Sequence, residues 1–165
     1  MANLIIDIGN TALKAAWAEG ITLGRTFRYQ GEKMVEFILS LVEKNRPDIM
    51  ILSSVRRFTP QNVSRLESVC ERLVIMNEDM LEKYSIPSYI TPDRAASIIA
   101  ARYLFKGHGC TICDLGTMLS VDFIDEEGKY SGGCISPGCM TRFKSVHRYS
   151  KNLPLLEMPQ NIESR

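Results

Sequence analysis

An α/β fold with internal duplication is predicted by three features of the sequence. Strand-length apolar runs alternate with segments of helical period. An Asp-x-Gly turn between two strand-like runs occurs twice, in "LIIDIGNTALKAAW" (residues 4–17) and in "TICDLGTMLSVDF" (residues 111–123). Each copy opens the same order of elements, β-β-β-α, which marks a repeated folding unit. The expectation is a first lobe over residues 1–109 in the order β-β-β-α-β-α-β-α, then an incomplete second lobe over 110–165 in the order β-β-β-α.

In the first lobe, residues 3–8, 11–19 and 21–29 read as strands divided by turns at Gly9-Asn10 and Gly20. Met34, Phe37, Ile38, Leu41 and Val42 recur at helical spacing within 32–44, and Pro47 follows as a stop signal. "DIMILSSV" (48–55) is a strand, residues 60–73 an amphipathic helix with Pro60 in its first turn, and 73–76 a short strand. A further helix covers 91–105. Thr91 suits its cap, Pro92 its first position, and Ala95, Ile98, Ile99 and Leu104 its apolar face, with Gly107 and Gly109 closing it. In the second lobe, 110–116, 118–125 and 129–136 read as strands with a turn at Gly128. Residues 137–151 read as a helix with Phe143, Val146 and Tyr149 on its core face and His147 as a surface or half-buried residue.

Composition narrows the function. Hydrophobic residues make up 45% and charged residues 24%, enough apolar area for a core. A net charge of +1 gives no electrostatic case for nucleic acid or a membrane surface. No apolar stretch before Asp7 has signal-peptide length, and no run approaches a membrane span. The five cysteines are an odd count without a secretion signal, so reduced thiols in a cytoplasmic protein are expected. Cys110 and Cys113 form a C-x-x-C, but the spacing of Cys134 and Cys139 fits a zinc ribbon poorly. Cys110 and Cys113 are therefore expected to be small buried hydrophobes.

The repeated turn suits phosphate. Glycine lets backbone N–H groups converge on an anion, Thr11 and Thr117 add hydroxyl donors, and an aspartate at a strand end can hold Mg²⁺. Two such turns facing each other would grip a nucleotide triphosphate from both sides. A turn signal without function is the competing reading of either copy alone.

"DIGNTALK" and "DLGT" resemble the phosphate loops of the superfamily of acetate and sugar kinases and actin. Within it the sequence is similar to the type III pantothenate kinase family. That family's D-x-G-N-T-x-x-K is matched by Asp7, Gly9, Asn10, Thr11 and Lys14, and its S-S-V by Ser53, Ser54 and Val55. Its Y-x-x-P-x-x-L-G-x-D-R-x-A is matched by Tyr84, Pro87, Asp93, Arg94 and Ala96. Its D-x-G-T-A-x-T-x-D is matched by Asp114, Gly116, Thr117 and Asp122, and its G-G-x-I-x-P-G by Gly132 to Gly138.

The resemblance implies a duplicated ribonuclease H-like (actin-like ATPase) fold. It also implies transfer of the ATP γ-phosphoryl group to pantothenate, the first step towards coenzyme A. It implies ATP, Mg²⁺ and a monovalent cation (K⁺ or NH₄⁺) as cofactors, pantothenate as substrate, and a homodimer in the cytoplasm. Asp93 would be the general base. Asp7, Gly9, Asn10, Thr11, Lys14, Gly116, Thr117 and Ser120 would contact ATP phosphates. Tyr84, Thr91 and Arg94 would bind pantothenate; Asp7 and Asp114 would hold Mg²⁺, and Asp122 the monovalent cation. From position alone, Asp93 would complement a helix dipole, Arg94 would be a surface charge, Tyr84 half-buried and Asp122 an exposed strand residue. Lys14 lies three residues after Thr11, which within one strand puts the two on opposite faces.

The sequence departs from the family pattern in three places. Thr91 stands where the family has Gly, and could crowd a substrate or need φ < 0 where Gly allows φ > 0. Met118 and Ser120 replace Ala and Thr. The family continues past this point, so the sequence reads as a C-terminally truncated form whose second lobe exposes a sheet edge and apolar surface. The alternative reading is a degenerate, non-catalytic relative acting as a binding or transcriptional accessory protein.

Overall fold

A computed structural model describes residues 2–157. The chain divides into two compact units, Met1–Ile99 and Ala100–Arg165. The division falls inside a helix rather than after Gly109.

The first unit is built on a five-stranded sheet. β1 (Asn3–Ile8), β2 (Leu13–Glu19) and β3 (Thr22–Tyr29) form an antiparallel meander, and α1 (Met34–Val42) crosses over to β4 (Ile49–Ser54). α2 (Pro60–Glu67) leads to β5 (Arg72–Ile75), followed by α3 (Glu78–Lys83) and α4 (Pro92–Leu104). The strand order is β3-β2-β1-β4-β5, with β1–β4 and β4–β5 parallel. β1 thus has a strand on each side, and alternation of its side chains sends Leu4, Ile6 and Ile8 into the core. Leu13, Ala15, Met50 and Leu52 join them from β2 and β4, and Met34, Val35, Ile38 and Val42 of α1 and Leu66 of α2 complete that cluster. Burying each of the larger side chains is worth about 1.5–3 kcal/mol.

Local chemistry sets the helix ends. The Thr59 hydroxyl accepts the Asn62 N–H at 3.3 Å and Pro60 takes the first position of α2, so its start is as expected. α2 ends at Glu67 and β5 starts at Arg72, so the strand begins inside the range expected for the helix. Burial raises the Cys70 thiol above its ordinary pKa. α3 was not expected from apolar periodicity. The Asn77 side chain caps it by accepting the Met80 N–H at 3.0 Å, and Glu78 and Asp79 suit the positive end of its dipole.

The second unit carries a three-stranded antiparallel sheet, β6 (Cys110–Leu115), β7 (Met118–Ile124) and β8 (Tyr130–Pro137), in that order, followed by α5 (Cys139–Tyr149). Among the described residues β6 and β8 each pair with β7 alone, which matches the expected open edge. Gly128 takes φ +78° in the β7–β8 turn, where Lys129 N–H donates to Asp125 Oδ1 at 2.7 Å.

Burial differs from expectation here. Cys113 is exposed and Cys110 only half-buried, and among the described residues β6 has no strand on its second side. Val146 and Tyr149 of α5 are exposed, as is Leu104 of α4, so none of the three serves a core face. His147 is exposed, as expected, with its Nδ1 2.8 Å from the Leu153 carbonyl.

Candidate functional site

In the first unit the register of β1 builds a polar row. Asp7 stands opposite Lys14 of β2 and beside Ser53 of β4. Cross-strand partners share a face, so Lys14, Asp7 and Ser53 lie in line across three strands. The preceding row on that face is apolar: Ala16, Ile5 and Ile51. Lys14 Nζ lies 3.9 Å from Asp7 Oδ2, with both side chains well exposed, an ion pair worth at most about 1 kcal/mol. β2 begins at Leu13, so Thr11 belongs to the turn. The strand rule that opposed Thr11 to Lys14 therefore does not apply, and Lys14 shares a face with Asp7 without any bulge.

The turn itself is tied down from two sides. Gly9 N–H donates to the Ala12 carbonyl at 3.1 Å, and Val55 N–H to the Ile8 carbonyl at 3.1 Å. Arg56 Nη2 donates to the Asn10 carbonyl at 3.1 Å. The Gly9 N–H thus closes the turn. A Cβ on Gly9 would meet the Ala12 carbonyl at 3.6 Å, an ordinary contact.

α4 and the residues between α3 and α4 supply the remaining first-unit residues. Asp93 sits in its first turn, and its Oδ1 is buried without a hydrogen-bond partner. Arg94 is 7% exposed, which corrects the expectation of a surface charge. A buried guanidinium needs acceptors around it, so this residue is held in place by its surroundings. Tyr84 caps the C-terminus of α3 and is partly exposed, with the Lys83 ammonium 5.9 Å from its ring centroid. Thr91 accepts the Ala95 N–H at 2.9 Å. Ser85 is the non-glycine residue with positive φ among those described, so Thr91 avoids that strain.

The second unit repeats the design with a shorter turn. Asp114 stands opposite Ser120, as Asp7 does opposite Lys14. Gly116 N–H donates to the Met118 carbonyl at 2.9 Å, so this glycine too spends its N–H on the turn. A Cβ on Gly116 would meet nothing closer than 3.8 Å. Thr117 and Asp114 are exposed and Ser120 is buried. The Thr117 carbonyl accepts from Gly138 N–H at 3.0 Å and from Thr141 Oγ1 at 2.6 Å, fixing the start of α5 against the turn. Gly138 caps that helix, and a Cβ there would overlap the Gly116 carbonyl oxygen. Gly138 and Thr141 were not singled out from the sequence, although Gly138 lies in "GGCISPG", whose Pro-Gly pair precedes the helix.

Asp122 is 1% exposed and accepts a hydrogen bond from the Tyr130 hydroxyl at 3.1 Å, so it is not an exposed strand residue. Gly133 is its cross-strand partner, and a Cβ there would lie 2.5 Å from Asp122 Oδ1. The carboxylate therefore depends on that glycine for space. Among the described residues no group of three or more His, Cys, Asp or Glu side chains could hold a metal ion. Asp7 and Asp114 offer hard oxygen donors with open surroundings, which suits Mg²⁺, an ion that keeps several waters and uses one or two carboxylates plus phosphate.

Solved structures show the fold. The chain is similar to a conserved Baf family protein from Campylobacter jejuni, with a TM-score of 0.52 and 19% identity over 96% of this chain and 68% of that one. It is also similar to the Aquifex aeolicus Ppx/GppA phosphatase, with a TM-score of 0.52 and 13% identity over 95% of this chain and 58% of that one. The fold is α/β and of the duplicated ribonuclease H-like kind.

The sequence then settles the family. The sequence pattern of type III pantothenate kinase matches residues 3–164, and the chain belongs to that family. Type III pantothenate kinases from Flavobacterium johnsoniae and Azobacteroides pseudotrichonymphae are each 32% identical, over 95% and 98% of this chain. The chain spans 66% and 67% of those two relatives. Among the described residues no helix is long and apolar enough to cross a membrane.

Proposed function

We propose that the protein transfers the γ-phosphoryl group of ATP to the primary hydroxyl of pantothenate, giving 4′-phosphopantothenate. Beyond family membership, one observation carries this reading: the Asp93 carboxylate has an oxygen buried without a partner, beside buried Arg94. A carboxylate serving only the helix dipole needs no such burial. Asp93 accepts the proton of the substrate hydroxyl, and Arg94, Tyr84 and Thr91 bind pantothenate. A carboxylate suffices as the base, because a loose phosphoryl-transfer transition state needs the proton removed late.

Asp7, Gly9, Asn10, Thr11 and Lys14 contact the phosphates in the first unit, and Gly116, Thr117 and Ser120 do so in the second. In neither turn does the chain's own packing demand the Asp-x-Gly glycine, which suits close approach by an outside group. Asp7 and Asp114 would hold Mg²⁺, which neutralises phosphate charge when bound. Asp122, buried and partnered by a neutral hydroxyl, would take the monovalent cation. The cytoplasmic homodimer belongs to the same proposal. A non-catalytic, regulatory role is the second reading, and no observation favours it over the kinase.

A coupled assay of ADP release with Mg·ATP, with and without pantothenate, tests the reading on this chain. Pantothenate-dependent release is expected. Asp93→Asn should lower turnover by at least about 100-fold while leaving ATP binding nearly intact. Near-normal turnover in that variant would remove the base assignment.

A further inference from the structure

We propose that Ser53 is a nucleotide-binding residue whose hydroxyl donates to a phosphate oxygen held at Asp7. The inference rests on the kinase reading above. Ser53 lies near the end of β4, is 8% exposed, and its Oγ has no hydrogen-bond partner. The next residue makes the contrast. Ser54 Oγ donates to the Arg56 carbonyl at 2.9 Å and accepts the Arg56 N–H at 3.0 Å, so its hydroxyl closes the bend that follows β4. Of two adjacent serines, the fold uses one hydroxyl and leaves the other unsatisfied.

Burying a hydroxyl without a partner is unfavourable, and alanine would occupy the same space without that penalty. The position of Ser53 supplies the reason for the hydroxyl. It is the β4 partner of Asp7, on the same face as Asp7 and Lys14, with adjacent strands about 4.8 Å apart. A phosphate oxygen brought over Asp7, one strand away, would come within hydrogen-bond reach of Ser53 Oγ. An ionised carboxylate can only accept, so Ser53 brings to the row a neutral donor on the side of Asp7 away from the Lys14 ammonium. The hydroxyl is then satisfied in the complex and unsatisfied without it.

Ser53→Ala in the full chain separates this role from a structural one, because the two predict opposite changes. The free protein should melt at the same temperature as the parent or higher, since an unsatisfied polar group has been removed. Its affinity for Mg·ATP should fall roughly tenfold, the loss of one hydrogen bond to a charged group, while its affinity for adenosine stays unchanged. A lower melting temperature, or failure to fold, would show that the fold uses the hydroxyl and would overturn the proposal. Unchanged Mg·ATP affinity in a parent that binds Mg·ATP would overturn it while leaving the kinase reading standing. A parent chain that binds no Mg·ATP would overturn both.

Discussion

β1 and β6 open their units with the same design, an apolar strand running into Asp-x-Gly, yet they end in opposite environments. Leu4, Ile6 and Ile8 of β1 are fully or almost fully buried, whereas Leu115 of β6 is 71% exposed. β1 is flanked by β2 and β4 and covered by helices, while β6 pairs with β7 alone among the described residues. The strand motif thus sets conformation, and its neighbours set burial. The two turns differ in the same sense. The first is tied to the segment after β4 by Val55 and Arg56; the second is held at the start of α5 through the Gly138 N–H and the Thr141 hydroxyl.

Substitutions can break this comparison. The largest effect is expected in the first-unit core. Ile8→Ala should cost about 2–5 kcal/mol in denaturant unfolding, while Leu115→Ala, at the corresponding position of the second Asp-x-Gly turn, should stay within about 0.5 kcal/mol. Equal losses would mean that the second unit has a core of comparable weight. A smaller but more local effect is expected at Gly138→Ala. Its Cβ must displace the Gly116 carbonyl, at a cost of about 1–3 kcal/mol by the same measurement, with altered amide exchange at Gly116 and Thr117. An unperturbed variant would mean that α5 does not hold the second turn.

Much of this was legible in the sequence, for physical reasons. Alternating and helical periods placed twelve of the elements near their observed positions, because burial imposes those periods on long segments. α3 escaped because six residues are too few to show a period, although Asn77 followed by Glu78 and Asp79 was a cap signal. The motifs named the polar residues but not their contacts. That Lys14 faces Asp7 depends on a four-residue turn over 9–12, and no strand rule fixes that length. The burial of Arg94 and Asp122, and the exposure of Cys113, depend on neighbours distant in sequence. Ser53 stood in a matched motif with no assigned role, and only its missing partner set it apart from Ser54.

The central claim is that the glycines of the two Asp-x-Gly turns answer to a ligand rather than to the fold, and Gly9→Ala tests it most directly. The new Cβ meets only ordinary contacts, so the melting temperature of the free chain should stay close to that of the parent. Its affinity for Mg·ATP, measured by calorimetry, should fall at least roughly tenfold, as the methyl group occupies the space that the phosphate approaches. A destabilised variant with unchanged Mg·ATP affinity would contradict the account, placing Gly9 among the requirements of the fold.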